Sequence, residues 1–273
     1  MSGLWRVPCR LVGLFILVAC LIVPWPLIMT LPRVKGQHIQ RWLFKNICRL
    51  FHITINITGR PETRTGVLYV ANHTSYLDII VLGSFLPDCS FIAKGDMSRW
   101  PIINLLCNIP RSIFVKRQAD EAAKQKNILN TRLAEGDRLV LFAEGTTTLG
   151  HRVLPFKSSL FAAPIELAKQ HQEILVQPIT ILPTHKNGLP MEYHEKHIYA
   201  WLGDLSLAQH VGPLLRNNQI TVSVIFHDPL SNMAVAKRRQ LSDYCHAAVE
   251  AGTQRLLAAQ APEQRALPPP ARG

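Results

Sequence analysis

The middle of the chain alternates between two kinds of segment, and this alternation limits its fold more than any other feature. Short apolar runs at Val67–Ala71, Ser90–Ala93, Ser112–Val115, Arg138–Ala143, Ile174–Ile181 and Ile220–Phe226 read as strands. Between them, Asp78–Leu86, Gln118–Glu135 and Ser158–His171 read as helices; Gly136-Asp137 closes the second and Pro164 interrupts the third. Alternating strands and helices predict an α/β fold, a mostly parallel sheet flanked by helices. In such sheets ligands gather beyond the carboxyl ends of the strands. The loops after Ala71, Val115 and Ala143 are therefore the places to look for chemistry.

The N-terminal segment is of a different kind. Leu11 to Leu31 is a run of 21 uncharged, mostly apolar residues between Arg10 and Arg33, close to the roughly 20 residues of a spanning helix. Pro24 and Pro26 interrupt it, so the segment spans, or enters the bilayer and returns. Trp25-Pro26-Leu27 makes a poor cleavage site, which argues against a removed signal peptide. Two basic residues precede the run and five follow it by Arg49, a bias that places the bulk of the chain on the cytoplasmic side of a cell inner membrane. The net charge is +12, and the first 60 residues hold eight basic residues and no acidic one. This concentration points to an anionic membrane surface and not to nucleic acid. Gln37–Phe51 is amphipathic, with Ile39, Trp42, Leu43, Ile47, Leu50 and Phe51 at helical spacing and Arg41, Lys45 and Arg49 on another side. An interfacial helix and a core-facing helix both have this pattern. Residues 1–58 are thus assigned to anchor and interfacial helix, 59–260 to one domain, and 261–273 to a disordered tail.

The loop after the first strand is the most polar break in an apolar stretch, Ala71-Asn72-His73-Thr74-Ser75-Tyr76-Leu77-Asp78. On one continuous helix, residues five apart lie on different faces. His73 and Asp78 meet only if His73 is in the loop and Asp78 in the first helical turn. Ser75-x-x-Asp78 fits a capping box there. One reading is a carboxylate that holds one imidazole nitrogen and leaves the other as a base; the other is a helix cap beside a polar loop residue.

Three further motifs follow in order. Arg111-Ser-Ile-Phe114-Val-Lys-Arg117 is one, Phe142-Ala143-Glu144-Gly145-Thr146-Thr147-Thr148 is the next, and the apolar strand Val176-Gln177-Pro178-Ile179 is the last. With Asn72-His73-x₄-Asp78, the set resembles the glycerolipid acyltransferase family over about residues 67–181. Three positions depart from the family pattern: Arg111 stands where glycine is expected, Ala143 where proline is expected, and Thr147 where arginine is expected. The stretch Glu144–Leu160 and Trp201-Leu-Gly-Asp204 look more like a bacterial branch that includes lyso-ornithine lipid acyltransferases.

The resemblance implies a membrane-bound O-acyltransferase. His73 is then the general base and Asp78 its orienting carboxylate. Asn72, Phe114, Arg117, Glu144, Gly145, Thr146, Thr147 and Lys157 form the substrate-binding set. The donor is an acyl-carrier-protein or coenzyme A thioester, and no cofactor is required. The expected acceptor is the 2-hydroxyl of lysophosphatidic acid, with lyso-ornithine lipid as the alternative because Thr147 removes a phosphate-gripping arginine. An inactive membrane-binding protein is the alternative of another class. No metal site is expected: the six cysteines lack C-x-x-C spacing, and His194-x-x-His197 has no cysteine or H-E-x-x-H context. Gly145-x₄-Gly150 lacks the Lys-Ser/Thr ending of a P-loop.

Overall fold

A computed structural model of the chain describes residues 5–22, 33–86, 88–94, 113–115, 119–203, 205–216, 219–231 and 237–260. Helices α1 (Arg6–Ile22) and α2 (Arg33–Leu50) come first, followed by strand β1 (Ile53–Thr58). The alternating part runs β2 (Val67–Ala71), α3 (Leu77–Gly83), β3 (Cys89–Lys94), β4 (Ile113–Val115), α4 (Ala119–Ala134) and β5 (Arg138–Phe142). A 3₁₀ turn (Ser158–Phe161) leads into α5 (Ala162–Lys169), β6 (Leu175–Lys186) and β7 (Leu189–Pro190). A second 3₁₀ segment (Tyr193–Ile198), α6 (Leu207–Arg216), β8 (Ile220–Phe226) and α7 (Arg238–Ala258) complete it.

The strands form one eight-stranded sheet in the order β1-β8-β6-β2-β5-β3-β4, with β7 paired to β6. All pairings are parallel except β6 with β7 and β6 with β8. The α/β class and the mostly parallel sheet agree with the sequence reading. β2 lies at the centre and is buried along its whole length, which is why Val-Leu-Tyr-Val-Ala shows no polar alternation.

One apolar layer contains α2, α3 and the face of β2 that carries Val67, Tyr69 and Ala71. The other contains α4, α5, α7 and the face that carries Leu68 and Val70. Pro164 falls in the first turn of α5, where its missing N–H breaks no helical bond. α7 was not anticipated. Leu241, Cys245 and Val249 recur every fourth residue on its buried side. It reaches the sheet at Gly252, where an added Cβ would lie 2.3 Å from the Thr180 hydroxyl.

Two N-terminal expectations change. β1 falls within the stretch assigned to the anchor, yet it pairs in parallel with β8 from Ile53 to Thr58. The apolar side of the amphipathic segment is a core face: Leu43, Phe44, Ile47, Cys48 and Phe51 are buried with α3 and the sheet. Core packing, not lipid, covers those side chains, although Trp42 remains exposed. α1 contains the first half of the apolar run; the remainder, from residue 23 to 31, lies outside the described residues. Among the described residues no helix is long and apolar enough to cross a membrane. α1 rests against α2 and α6, and the Arg10 guanidinium donates to the Leu215 carbonyl at 2.6 Å. Its other side leaves Leu11, Val12, Phe15 and Ile16 exposed. The tail from 261 onward lies outside the described residues.

Candidate active site

β2 and β5 are parallel neighbours that end together, with Ala71 opposite Phe142. Their two loops therefore emerge side by side at the carboxyl edge of the sheet. Asn72 extends the ladder beyond the end of β2. Its side-chain amide donates to the Ile181 carbonyl at 2.8 Å, and its amide oxygen accepts from the Ile181 N–H at 2.8 Å. A buried backbone pair on β6 is satisfied by one side chain. Asn72 was expected to bind substrate; both polar ends of its side chain bond Ile181, which fixes where the loop leaves the sheet.

The next residue is His73, whose Nδ1 lies 2.9 Å from Asp78 Oδ2. Asp78 sits in the first turn of α3 and is fully buried. Its Oδ2 also accepts from the N–H groups of Thr74 (2.7 Å) and Ser75 (2.9 Å). Its Oδ1 accepts from the Thr74 hydroxyl (3.0 Å) and the Tyr199 hydroxyl (2.9 Å). Five donors converge on two oxygens, an arrangement that suits an ionised carboxylate, which only accepts. Half of the predicted capping box forms: the Asp78 side chain takes the Ser75 N–H, while the Ser75 hydroxyl accepts from Leu77 N–H at 3.3 Å. The cap and the imidazole-orienting role thus coincide in one carboxylate.

The His73 ring stacks on Phe142, with centroids 4.0 Å apart and planes 17° from parallel. Stacking fixes the ring plane and the carboxylate fixes its rotation, which together aim Nε2. The side chain is 12% exposed, so the ring is held by protein while one edge stays open. A His with Nδ1–H bonded to a carboxylate is in the tautomer that offers Nε2 as a base.

The β5 loop closes over this arrangement. Glu144 is buried and bridges two segments: one oxygen accepts from His73 N–H at 2.8 Å, the other from Leu154 N–H at 2.9 Å. Burial pushes its carboxyl up to about 6, against the lowering effect of those two N–H groups. Glu144, placed in the substrate-binding set and expected to hold a loop or an acceptor group, has a backbone donor on each oxygen and ties two loops together. Thr147, at the position where arginine was expected, donates its hydroxyl to the Trp201 carbonyl at 2.5 Å. Trp201 N–H in turn donates to the Thr74 carbonyl at 2.9 Å, and Thr148 N–H to the His73 carbonyl at 2.9 Å. Gly145 has φ +69°, and an added Cβ would lie 2.4 Å from Lys157 Nζ. Only glycine tolerates both that backbone and that close approach. Lys157 therefore lies across the loop, with an exposed side chain, and Thr146 is exposed beside it.

The structure thus brings together Asn72, His73, Asp78, Glu144, Gly145, Thr146, Thr147 and Lys157. Phe114 is in β4, paired opposite Ala93; Arg117 lies outside the described residues. The sequence reading missed Tyr199. It is fully buried, and burial together with Asp78 raises its hydroxyl well above the usual range, so it acts as a neutral donor. Its only sequence signal is nearness to Trp201-Leu-Gly-Asp204, 121 residues beyond its partner.

Known proteins give the same reading. The family model described as Acyltransferase matches residues 52–183. The lyso-ornithine lipid O-acyltransferase of Brucella abortus is 33% identical over 92% of this chain and 98% of its own length. That of Rhizobium meliloti is 34% identical over 84% of this chain and 80% of its own. The crystal structure of the 1-acyl-sn-glycerophosphate acyltransferase of Thermotoga maritima superposes with a TM-score of 0.65, covering 94% of this chain and 98% of that one at 20% identity, which establishes a shared fold. With the Asn72–Asp78 and Phe142–Thr148 motifs brought side by side, these similarities establish that the chain belongs to the glycerolipid acyltransferase family and is an O-acyltransferase.

Proposed function

We propose that the chain transfers a fatty acyl group from a thioester to the hydroxyl of lyso-ornithine lipid. His73 Nε2 takes the proton of the acceptor hydroxyl as its oxygen attacks the thioester carbonyl. The new C–O ester bond forms, the C–S bond breaks, and the proton leaves with the sulfur as a free thiol. General-base catalysis of this kind is typically worth about 10²–10⁴-fold. The observation that carries the chemistry is the His73–Asp78 pair, with the carboxylate held by four donors besides the imidazole. No covalent acyl-enzyme enters this scheme.

The acceptor assignment departs from the first expectation, lysophosphatidic acid. Two observations support the change. The relatives that span most of this chain bear the name lyso-ornithine lipid O-acyltransferase. Thr147 carries no charge, and its hydroxyl is held by Trp201. Lysophosphatidic acid remains the second reading because Lys157 brings one ammonium across Gly145, where a phosphate finds a cation.

The donor is a thioester of acyl carrier protein or coenzyme A. The site works at the cytoplasmic face of an anionic inner membrane, held there by the basic N-terminus and by the exposed Leu11, Val12, Phe15 and Ile16 of α1. The test is acyl transfer by the purified full chain in detergent, with both lysolipids as parallel acceptors and both thioester types as donors. Turnover of lyso-ornithine lipid is expected; turnover of lysophosphatidic acid alone would refute the acceptor assignment.

A further inference from the structure

A cavity of about 590 Å³ opens beside the active-site loops, lined among others by His151, Lys186, Met191, Glu192, Glu195 and Lys196. Two short connections join it to the catalytic pair. Gly150, one residue before His151, packs so closely that an added Cβ would lie 3.2 Å from the Thr74 methyl. The 3₁₀ segment that carries Lys196 is followed directly by Tyr199, whose N–H donates to the Lys196 carbonyl at 3.1 Å and whose hydroxyl donates to Asp78.

Lys196 is unusual. It is 1% exposed, and its ammonium has no hydrogen-bond partner among the described residues. The same holds for Nε2 of His151, whose ring stacks on Tyr193 with centroids 4.1 Å apart. Burial alone lowers the Lys196 ammonium to about 8, with no carboxylate opposing it, and burial first, then Lys196, lowers His151. Of the two carboxylates on the wall, the Glu192 side chain is exposed and open to a cation, while Glu195 is mostly buried in an ion pair. Glu195 pairs with Lys186 at 2.6 Å, and Glu192 sits 3.3 Å from His194 at the rim. A buried ammonium without a counter-charge is costly, and the cost falls when an anion is delivered to it. The cavity wall nevertheless carries both signs of charge, with Glu192 and Glu195 lining it alongside Lys186 and Lys196, which favours a ligand of mixed charge over a phosphate dianion.

Building on the lyso-ornithine reading above, we propose that Lys196 and His151 receive the carboxylate of the acceptor's amino-acid head group, with the head group's ammonium toward Glu192. The cavity then selects the head group while the adjoining catalytic loops carry out the transfer.

The test uses the full chain in detergent, with Lys196→Met and His151→Gln as variants. Isothermal titration with free ornithine and with inorganic phosphate reads the cavity without turnover. Ornithine is expected to bind the wild type and to lose at least about tenfold in affinity in Lys196→Met, the worth of one hydrogen bond to a charged group. In acyl transfer, KM for lyso-ornithine lipid should rise by a similar factor, with kcat moving less. Lys196→Met should melt no lower than the wild type, since it removes an unpartnered buried charge. Equal ornithine affinity in the wild type and both variants would overturn the proposal, as would binding of phosphate without ornithine. If ornithine binds as expected but lyso-ornithine lipid is not acylated, the acceptor assignment fails and the cavity assignment stands.

Discussion

Tyr199→Phe isolates the tie between the buried Asp78 carboxylate and a distant part of the chain. The substitution removes one hydroxyl and keeps the ring. In the wild type that hydroxyl donates to Asp78 Oδ1 at 2.9 Å, and both side chains are fully buried. The lost interaction is a hydrogen bond to a charged acceptor shielded from water, worth about 1.5–3 kcal/mol. No donor is left unsatisfied, because phenylalanine brings none, and Oδ1 keeps the Thr74 hydroxyl at 3.0 Å. The cost should therefore appear as lost stability, a fall of about 3–12 °C in Tm for a domain of this size. Asp78 stays in place with four of its five donors, so His73 keeps its partner but loses part of its restraint. The expected signature is a several-fold drop in kcat with KM nearly unchanged. A double-mutant cycle with Asp78→Asn separates the charge from the packing: Tyr199→Phe should cost less in the Asn background, by about 1 kcal/mol. Thermal melts and initial rates in detergent provide the readouts. Equal Tm and equal kcat in wild type and Tyr199→Phe would refute the reasoning, as would full additivity in the cycle.

Other expectations concern the loops. Asn72→Leu leaves a donor and an acceptor of Ile181 unpaired in the interior, so it should destabilise by about 2–5 kcal/mol, read by chemical denaturation; a loss under 1 kcal/mol, by the same scale, would argue against the ladder-extending role. Glu144 binds its proton more tightly in the fold than the ordinary 4.5, at about 6. Its contribution is then fully present below the unfolded value and is lost as pH rises through about 6. Relative to Glu144→Gln, the wild type should gain roughly 1 kcal/mol of stability between pH 7.5 and 5, and a pH-independent difference would contradict the assignment. Gly145→Ala meets both a positive φ and the Lys157 ammonium. It should displace Lys157 and raise KM for a phosphate-bearing acceptor more than for a zwitterionic one, and equal KM changes would remove Lys157 from the head-group contacts.

The sequence disclosed most of the sheet and the candidate site loop because each has a local signature. β2 is an unbroken apolar run, β5 is one after Arg138, β8 is rich in Ile and Val, and His73, Ser75 and Asp78 lie within six residues. What it concealed has physical causes. Amphipathic spacing reports that a face is buried but not by what, so the neighbouring apolar run favours an interfacial helix, whereas Leu43, Phe44 and Ile47 of α2 pack in the core with α3. β1 alternates Ile with Thr and Asn, the pattern of an edge strand with one solvated side, and its partner β8 is more than 160 residues away. Asn72 and Glu144 lie within motifs, but the backbone groups they hold come within reach only through the folded loops. Tyr199 approaches Asp78 through tertiary structure alone. Thr147 was rightly singled out as a departure, while its bond to Trp201 depends on a loop 54 residues further on.

The most direct test of the central claim is acyl transfer from a thioester to lyso-ornithine lipid by wild type and His73→Ala, with thermal melts to verify folding. The account predicts turnover by the wild type and a loss of at least about 10²-fold in the variant, with little change in Tm because His73 Nδ1 is only one of five donors to Asp78. A folded His73→Ala protein that transfers acyl groups at the wild-type rate would contradict it.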